Sequence, residues 1–179
     1  MLWGIDHTWT LFLDRDGVIN QRIIDDYVKT IDEFKFLNGS EKAIARMSVI
    51  FRYVFVVTNQ QGIGKGVMTE SNLKAIHDYM SEKIKAEGGK ITACYYAPQL
   101  ANEGSEMRKP ATGMGLKAQE EFVEVDFSRS VMVGDSDSDI EFGKRLGMKT
   151  VKVNPELVDA SGADLVVRDL IDLVNTIEE

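Results

Sequence analysis

Six short apolar runs recur along the chain, and the stretches between them place apolar residues at every third or fourth position. The runs cover residues 8–13, 53–57, 91–97, 131–133 and 150–153, with a weaker one at 164–167. Runs such as Val54-Phe55-Val56-Val57 are almost continuously apolar, which is typical of strands buried on both faces of a parallel sheet. The pattern therefore predicts a sheet of parallel strands.

Five helical patterns fall between these runs. They cover residues 40–50, the stretch from Thr69 to Gly88, and residues 113–124, 139–146 and 170–177. Ser40 is expected to cap the first helix and Thr69 the second, because a side-chain oxygen at a helix start accepts hydrogen bonds from its first backbone N–H groups. Strands alternating with helices predict an α/β fold: one domain over residues 1–179, in three layers, with helices on both faces of a parallel sheet.

The bulk composition narrows the class of protein. The 179 residues carry a formal net charge of −8 and are 44 % hydrophobic, which fits one folded domain and disfavours a nucleic-acid or membrane partner. The single cysteine, Cys94, cannot form an internal disulfide, and no Cys/His cluster indicates zinc. Because residues 1–7 lack a secretory pattern and no apolar segment reaches membrane-spanning length, a cytoplasmic protein, most simply a monomer, is expected.

Two aspartates, Asp14 and Asp16, follow the first apolar run, where the chain is expected to bend out of the sheet at Gly17. Ligands of parallel sheets bind at this carboxyl edge, and two like charges held close together need a cation or a shared proton. One carboxylate could attack phosphorus, while the other carries a proton to the leaving oxygen and then activates water. The alternative is a pair of turn-forming aspartates, because Asp-x-Asp-Gly is also a common turn composition.

Polar residues follow two later strands at the same edge. Thr58 and Asn59 offer a hydroxyl and an amide for phosphoryl oxygens, although an ordinary strand-to-helix turn is the alternative. Residues 134–139 place three carboxylates at another strand-to-helix junction. There Asp135 suits an oxygen-binding cation such as Mg²⁺, and Asp139 could hold a lysine or a metal-bound water. Helix capping explains one of these acidic residues but not three.

Arg108-Lys109-Pro110 is the only compact basic cluster in an acidic loop region. The lysine could neutralise phosphate charge and the developing transition state, and the planar fork of the arginine suits a second anionic or hydroxylated substrate group. The alternative is a solvated surface pair. His77 lies near an apolar helical stripe, so it is expected to be a packed or surface residue rather than a ligand.

The order and placement of these motifs resemble the four motifs of the haloacid dehalogenase (HAD) superfamily. The matching segments are Asp14-Arg15-Asp16-Gly17-Val18-Ile19-Asn20, Val57-Thr58-Asn59-Gln60-Gln61-Gly62-Ile63, Arg108-Lys109-Pro110 and residues 133–139. The resemblance spans about residues 11–153 and is to subfamily IIIA, in the branch that holds histidinol-phosphate phosphatase and heptose 1,7-bisphosphate phosphatase. It implies the Rossmann-like HAD fold without a large cap domain, because only short insertions fit between Asn20 and Thr58.

The resemblance also implies a role for each motif residue. Asp14 would be the nucleophile and Asp16 the general acid/base. The transferring phosphate would be bound by Thr58 and Lys109, with support from Asn59. Mg²⁺ would be held by the Asp14 carboxylate, the Asp16 backbone carbonyl and Asp135, with Asp139 in support. The rest of the substrate would be read by Gln60, Gln61 and Arg108.

One departure from the branch concerns zinc. Its members commonly carry a Cys-x-His pair followed by Cys-x-Cys just before the Arg-Lys-Pro motif. This chain has Ala97-Pro98-Gln99 and Ser105-Glu106-Met107 at the matching places. Alanine and methionine cannot replace cysteine in a tetrahedral zinc site. We therefore predict no structural zinc, and a substrate-bordering loop that is ordered by packing or is more mobile.

The leading hypothesis is a Mg²⁺-dependent phosphatase that acts on a small phosphorylated metabolite through an aspartyl-phosphate intermediate. Sugar phosphates or bisphosphates come first as substrates and histidinol phosphate second. A polynucleotide 3′-phosphatase is a second enzymatic hypothesis, which the charge of −8 and the missing basic stripe disfavour. A third hypothesis is a non-catalytic receiver-like module whose aspartate accepts phosphate as a switch, although such a module has no use for a second aspartate two residues on.

Overall fold

The six predicted strands form one parallel sheet in the order β3-β2-β1-β4-β5-β6. A computed structural model describes residues 2–158 and 161–179. The strands are β1 (Thr10–Leu13), β2 (Tyr53–Asn59), β3 (Ala93–Ala97), β4 (Ser130–Gly134), β5 (Lys149–Val153) and β6 (Leu165–Val167). All the strand pairs in the sheet are parallel.

Helices cover both faces of this sheet and complete three layers. They are α1 (Ser40–Ile50), α2 (Gln61–Gly64), α3 (Glu70–Ala86), α4 (Gly113–Glu121), α5 (Asp137–Leu146) and α6 (Leu170–Glu178). Side chains alternate across the sheet, so Leu11 and Leu13 pack against the cluster under α1, α3 and α6, whereas Phe12 packs against the cluster under α4 and α5. The α/β fold predicted from the alternating pattern is confirmed.

Of the two predicted helix caps, the one at α1 is wrong and the one at α3 is confirmed. Ser40 does not cap α1: Gly39 precedes the helix in a left-handed conformation, and the Ser40 hydroxyl instead donates to the carbonyl of Ile19 at 2.7 Å. Thr69 does cap α3, since its side chain accepts a hydrogen bond from the backbone N–H of Asn72. The short helix α2 is absent from the apolar pattern, because four residues are too few to show a helical period.

The strand order places β1 in the middle of the functional edge. Leu13 is paired with Val56 of β2 on one side and with Val133 of β4 on the other. The connections leave this centre in opposite directions, toward β2 and β3 and toward β4, β5 and β6. A crevice forms beyond the carboxyl ends of strands where the order reverses in this way. The fold therefore brings the residues after β1, β2 and β4 to one place.

Candidate active site

A cavity of about 200 Å³ lies at this carboxyl edge. Its walls include Asp14 and Asp16 after β1, Asn59 at the end of β2, and Asp135 after β4. Lys109, from the long loop between β3 and α4, completes the polar lining. The sheet thus gathers polar groups from four separate segments of the chain around one small space.

The ammonium group of Lys109 is the buried centre of the site. Its side chain is 2 % exposed, and its Nζ donates to Asp14 Oδ1 at 2.8 Å, to Asp139 Oδ1 at 2.6 Å and to the carbonyl of Val57 at 2.7 Å. Burial lowers the pKa of Lys109, but the two carboxylates outweigh burial and leave the pKa above its ordinary value. Lys109 therefore stays positively charged in the wall of the cavity, where its charge attracts an anionic ligand.

The Lys109 backbone is fixed by Asn59. The Asn59 amide accepts a hydrogen bond from the backbone N–H of Lys109 at 2.9 Å and donates to its carbonyl at 3.1 Å. These two bonds attach the loop to the end of β2. The side chain of Asn59 is thereby partly committed to holding the lysine in place.

Asp139 serves α5 and the site at the same time. Its Oδ2 accepts hydrogen bonds from the backbone N–H of Ser136 at 3.1 Å and from the Ser136 hydroxyl at 2.7 Å, which ties down the helix start, while its Oδ1 holds Lys109. A Cβ on Gly134 would lie 2.1 Å from the Asp139 Cβ, so only glycine leaves room for this side chain. Asp139 therefore caps the helix start with one carboxylate oxygen and contacts the site lysine with the other.

Three carboxylates form a group that could hold a metal ion. Oxygen atoms of Asp14, Asp135 and Asp139 lie within 4.8 Å of one another. Burial and the neighbouring Asp139 raise the pKa of Asp14 to about 8, against the opposing effect of Lys109, and burial and Asp139 also raise the pKa of Asp135. A divalent cation relieves such repulsion, and carboxylate oxygens are the ligands that Mg²⁺ prefers. The donor set therefore fits a hard divalent cation.

The backbone at Gly17 passes directly against this group. Gly17 has a positive φ of +87°, and a Cβ there would lie 2.1 Å from Asp135 Oδ2. The bend predicted at this glycine thus returns the chain across the metal-competent carboxylates.

Asp16 is in a different environment from Asp14. Its carboxylate accepts hydrogen bonds from Arg15 Nη2 at 2.9 Å, from Asn20 Nδ2 at 2.9 Å and from Gln60 Nε2 at 2.9 Å. Burial raises the pKa of Asp16, but the charge of Arg15 and these three donors outweigh burial and hold the pKa below its ordinary value. The two aspartates therefore differ in protonation although they line one cavity.

Gln60 lines the cavity and is buried, and Thr58 at the end of β2 is buried beside it. Each is 1 % exposed, and Gln60 Nε2 donates to Thr58 Oγ1 at 2.8 Å as well as to Asp16. Gln61 opens α2, and its Oε1 accepts from the backbone N–H of Ala101 at 3.3 Å. The substrate-reading roles of the two glutamines and the phosphate-binding role of Thr58 stay predictions.

Three residues that the sequence patterns do not single out also lie at the site. Arg15 and Asn20 hold Asp16, and Arg22 lines the cavity with its Nη1 3.5 Å from Asp135 Oδ2. Of these three residues, only Arg15 could have been predicted from the sequence, because a charged residue just after a fully apolar strand is expected to have a buried partner. Arg22 lies in an irregular loop, where hydrophobic periodicity carries no information.

The loop that departs from the branch pattern is held by contacts with α2. The carbonyl of Pro98 accepts from the backbone N–H of Gly64 at 3.0 Å, and a Cβ on Gly64 would lie 2.6 Å from that oxygen. Met107, at the other end of the loop, packs against the cluster under α4 and α5. Packing and backbone hydrogen bonds thus order this loop. The expectation that it holds no zinc stays a prediction.

The parallel sheet with these motifs at its carboxyl edge defines a HAD-like hydrolase, and the HAD-hydrolase-like family model matches residues 106–173. The D-glycero-α-D-manno-heptose-1,7-bisphosphate 7-phosphatase of Mycobacterium bovis is 36 % identical over 135 residues, which cover 75 % of this chain and 71 % of that protein. The enzyme of the same name from Campylobacter jejuni is 40 % identical over 151 residues, which cover 83 % of this chain and 84 % of that protein. The chain belongs to the heptose-bisphosphate phosphatase family of the HAD superfamily and is a phosphatase.

Solved structures agree with this assignment. The D,D-heptose 1,7-bisphosphate phosphatase of B. bronchiseptica, crystallised with magnesium and phosphate, superposes with a TM-score of 0.86 at 30 % identity, over 95 % of this chain and 98 % of that one. The enzyme of Burkholderia thailandensis gives a TM-score of 0.68 at 29 % identity, over 96 % and 99 % of the two chains. The resemblance seen in the motifs is therefore confirmed. Within residues 2–158 and 161–179, no helix has the length and apolar character to cross a membrane.

Proposed function

We propose that the chain is a Mg²⁺-dependent phosphatase of a phosphorylated sugar, with Asp14 as the nucleophile. The observation that carries this is the contact between Asp14 Oδ1 and Lys109 Nζ at 2.8 Å, beside the carboxylates of Asp135 and Asp139. Asp14 would attack phosphorus and form an aspartyl phosphate, which water then hydrolyses. Lys109, with Thr58 and Asn59 in support, would bind the phosphoryl oxygens and offset the developing charge.

Mg²⁺ would be held by the Asp14 carboxylate, the Asp16 backbone carbonyl and Asp135, with Asp139 in support. The ion supplies charge neutralisation for the phosphate and for the crowded carboxylates. Arg22 Nη1 forms a weak ion pair with Asp135 Oδ2 at 3.5 Å. A cation bound by Asp135 would displace this ion pair.

Asp16 would be the general acid/base. In the free protein its lowered pKa keeps it ionised, which is the form that activates water in the second step. A phosphate dianion entering the cavity brings negative charge next to this carboxylate, and like charges raise a pKa. Asp16 is then able to take up a proton and pass it to the leaving oxygen in the first step.

The substrate we favour is a heptose 1,7-bisphosphate or a related sugar bisphosphate. This rests on the names of the relatives and on Arg108, which lines the cavity and whose buried Nη1 has no hydrogen-bond partner in the described part of the chain. An unpartnered guanidinium donor suits the oxygen atoms of a second phosphate. Relatives named for both the α and the β anomer leave the anomer open.

Turnover of a substrate panel tests this proposal. The panel holds α- and β-heptose 1,7-bisphosphate, histidinol phosphate, a nucleotide and an oligonucleotide 3′-phosphate, each with Mg²⁺ and with wild type and Asp14→Asn. We expect kcat/KM to be highest for a heptose bisphosphate and to vanish in the variant. Equal turnover by Asp14→Asn would contradict the mechanism, and a preference for histidinol phosphate or the oligonucleotide would contradict the substrate.

A further inference from the structure

Arg15 has the largest fully buried side chain of the residues that the structure describes. Its guanidinium carries a charge, and taking a charge out of water is costly unless good partners receive it. Its Nη2 donates to both oxygens of Asp16, at 2.9 and 3.1 Å, and its Nη1 lies 3.3 Å from His77 Nε2. An arginine at this position is therefore a bridge between Asp16 and a residue of α3.

His77 is the partner of Arg15 on the side away from Asp16. Arginine has only donors, so the Nε2 atom of His77 accepts and the ring proton resides on Nδ1. Burial and the charge of Arg15 lower the pKa of His77 to about 3, in keeping with a neutral ring. The ring is fixed by its place on α3, where Leu73 and Ile76 pack into the main core on the same helix.

The guanidinium is also restrained from a third direction. The Arg15 Cζ lies 5.9 Å from the centre of the Phe34 ring, within the range of a cation–π contact. Its Nε has no hydrogen-bond partner within residues 2–158 and 161–179. Among the residues that the structure describes, the fork is therefore held by hydrogen bonds to Asp16 and His77 alone, which lie at its two ends.

We propose that Arg15 and His77 are positioning residues that orient the Asp16 carboxylate for proton transfer. This rests on the proposed role of Asp16 as general acid/base. His77 fixes the rotation of the guanidinium, and the guanidinium fixes the carboxylate in the wall of the cavity. In the first step the proton passes from Asp16 to the bridging oxygen as the bond from that oxygen to phosphorus breaks. Without His77, the fork loses its hydrogen bond on the side of α3, so the Asp16 carboxylate is oriented less tightly, although Asn20 and Gln60 still donate to it.

The test compares leaving groups, because a good leaving group needs no proton. Wild type, Asp16→Asn, His77→Leu and His77→Gln are assayed with Mg²⁺ on a sugar phosphate and on 4-nitrophenyl phosphate. We expect His77→Leu to lower kcat on the sugar phosphate by about tenfold, a part of the roughly 100-fold that a positioned general acid supplies. The loss on 4-nitrophenyl phosphate is expected to be less than about threefold. His77→Gln restores an acceptor near the Nε2 position and is expected to recover most of the difference.

Leu73→Ala is the matched control for damage to α3. Leu73 is 1 % exposed on the same helix and its side chain has no polar atom, so its truncation loosens the helix and removes no hydrogen bond of Arg15. We expect a lower melting temperature and an unchanged ratio of the two activities. Equal losses on both substrates in His77→Leu, or no gain in His77→Gln, would overturn the positioning role.

The same measurements separate this inference from the function on which it rests. If Asp16→Asn shows the leaving-group dependence and His77→Leu does not, only the positioning role fails. If Asp16→Asn affects both substrates equally, the assignment of Asp16 as the proton carrier fails. Arg15→Lys adds a further check, since it keeps the charge but loses the two-ended fork, and it is expected to behave like His77→Leu.

Discussion

Binding of Mg²⁺ to the free protein is expected to release close to one proton at pH 7. Burial and the carboxylate of Asp139 raise the pKa of Asp14 to about 8 when no cation is present. A carboxyl group whose pKa lies one unit above the solution pH is about nine-tenths protonated. A metal ligand must be deprotonated, so the bound ion displaces this proton.

The same pKa fixes the sign of the effect on stability. The folded state holds a proton on Asp14 more tightly than the unfolded chain, whose aspartates have an ordinary value of 3.8. Asp14 therefore stabilises the cation-free protein fully below about pH 4, and this contribution is lost as the pH rises through about 8. Mg²⁺ takes the place of the proton, so the stabilisation it provides is expected to grow over the same interval.

Isothermal titration calorimetry with Mg²⁺ measures the released proton directly. Titrations at pH 7 in three buffers with different ionisation enthalpies give the proton number as the slope of the observed enthalpy. We expect a slope of about 0.9 for wild type, and a smaller slope for Asp14→Asn. A slope of zero in wild type would refute the raised pKa of Asp14, and an equal slope in the variant would refute its assignment to that residue.

Three further predictions concern single positions. Gly88→Ala is expected to lower the free energy of unfolding by about 1 kcal/mol, because Gly88 has a positive φ and open space around it. Gly17→Ala is expected to lower it by more, because Gly17 also has a positive φ and its added Cβ would lie 2.1 Å from Asp135 Oδ2, and only this change is expected to weaken Mg²⁺ binding, by about tenfold in a calorimetric titration. Lys109→Met leaves the buried Asp139 carboxylate without its counter-ion and Asp14 without its donor, so we expect the free energy of unfolding in urea without Mg²⁺ to fall by about 3 kcal/mol or more; an unchanged midpoint would contradict these buried contacts. Arg108→Lys is expected to raise KM for a sugar bisphosphate and to leave KM for a sugar monophosphate unchanged in steady-state assays, whereas equal changes would exclude a role in binding the second phosphate.

Most of the fold was predictable because its strands are buried on both faces. The runs at β2 and β4 are almost wholly apolar, so they are conspicuous in the sequence whatever they pair with. Helix starts depend instead on local backbone geometry. Gly39 adopts φ +69° before α1, and the Ser40 hydroxyl donates to the Ile19 carbonyl instead of accepting from the first N–H groups of the helix. Tertiary contacts of this kind have no local signature.

The part of the site that could be predicted consists of residues that come directly after the ends of strands. The placement of Asp14, Asp16 and Asp135 at one edge follows from parallel pairing alone. The contacts behind them do not, because they join residues far apart in the chain. Arg15 contacts His77, which lies sixty-two residues later in the chain. The charge of Arg15 predicts that it has a buried partner but does not identify His77 as that partner.

The proposed mechanism requires that Asp14 carries the phosphoryl group during turnover. Its most direct test is a rapid acid quench of the Mg²⁺-loaded enzyme with a ³²P-labelled sugar phosphate, followed by peptide mapping. We expect a hydroxylamine-sensitive acyl phosphate on the peptide that contains Asp14, formed and consumed at rates consistent with kcat. Full turnover with no label on that peptide at any quench time, or with the label on another residue, would contradict the account.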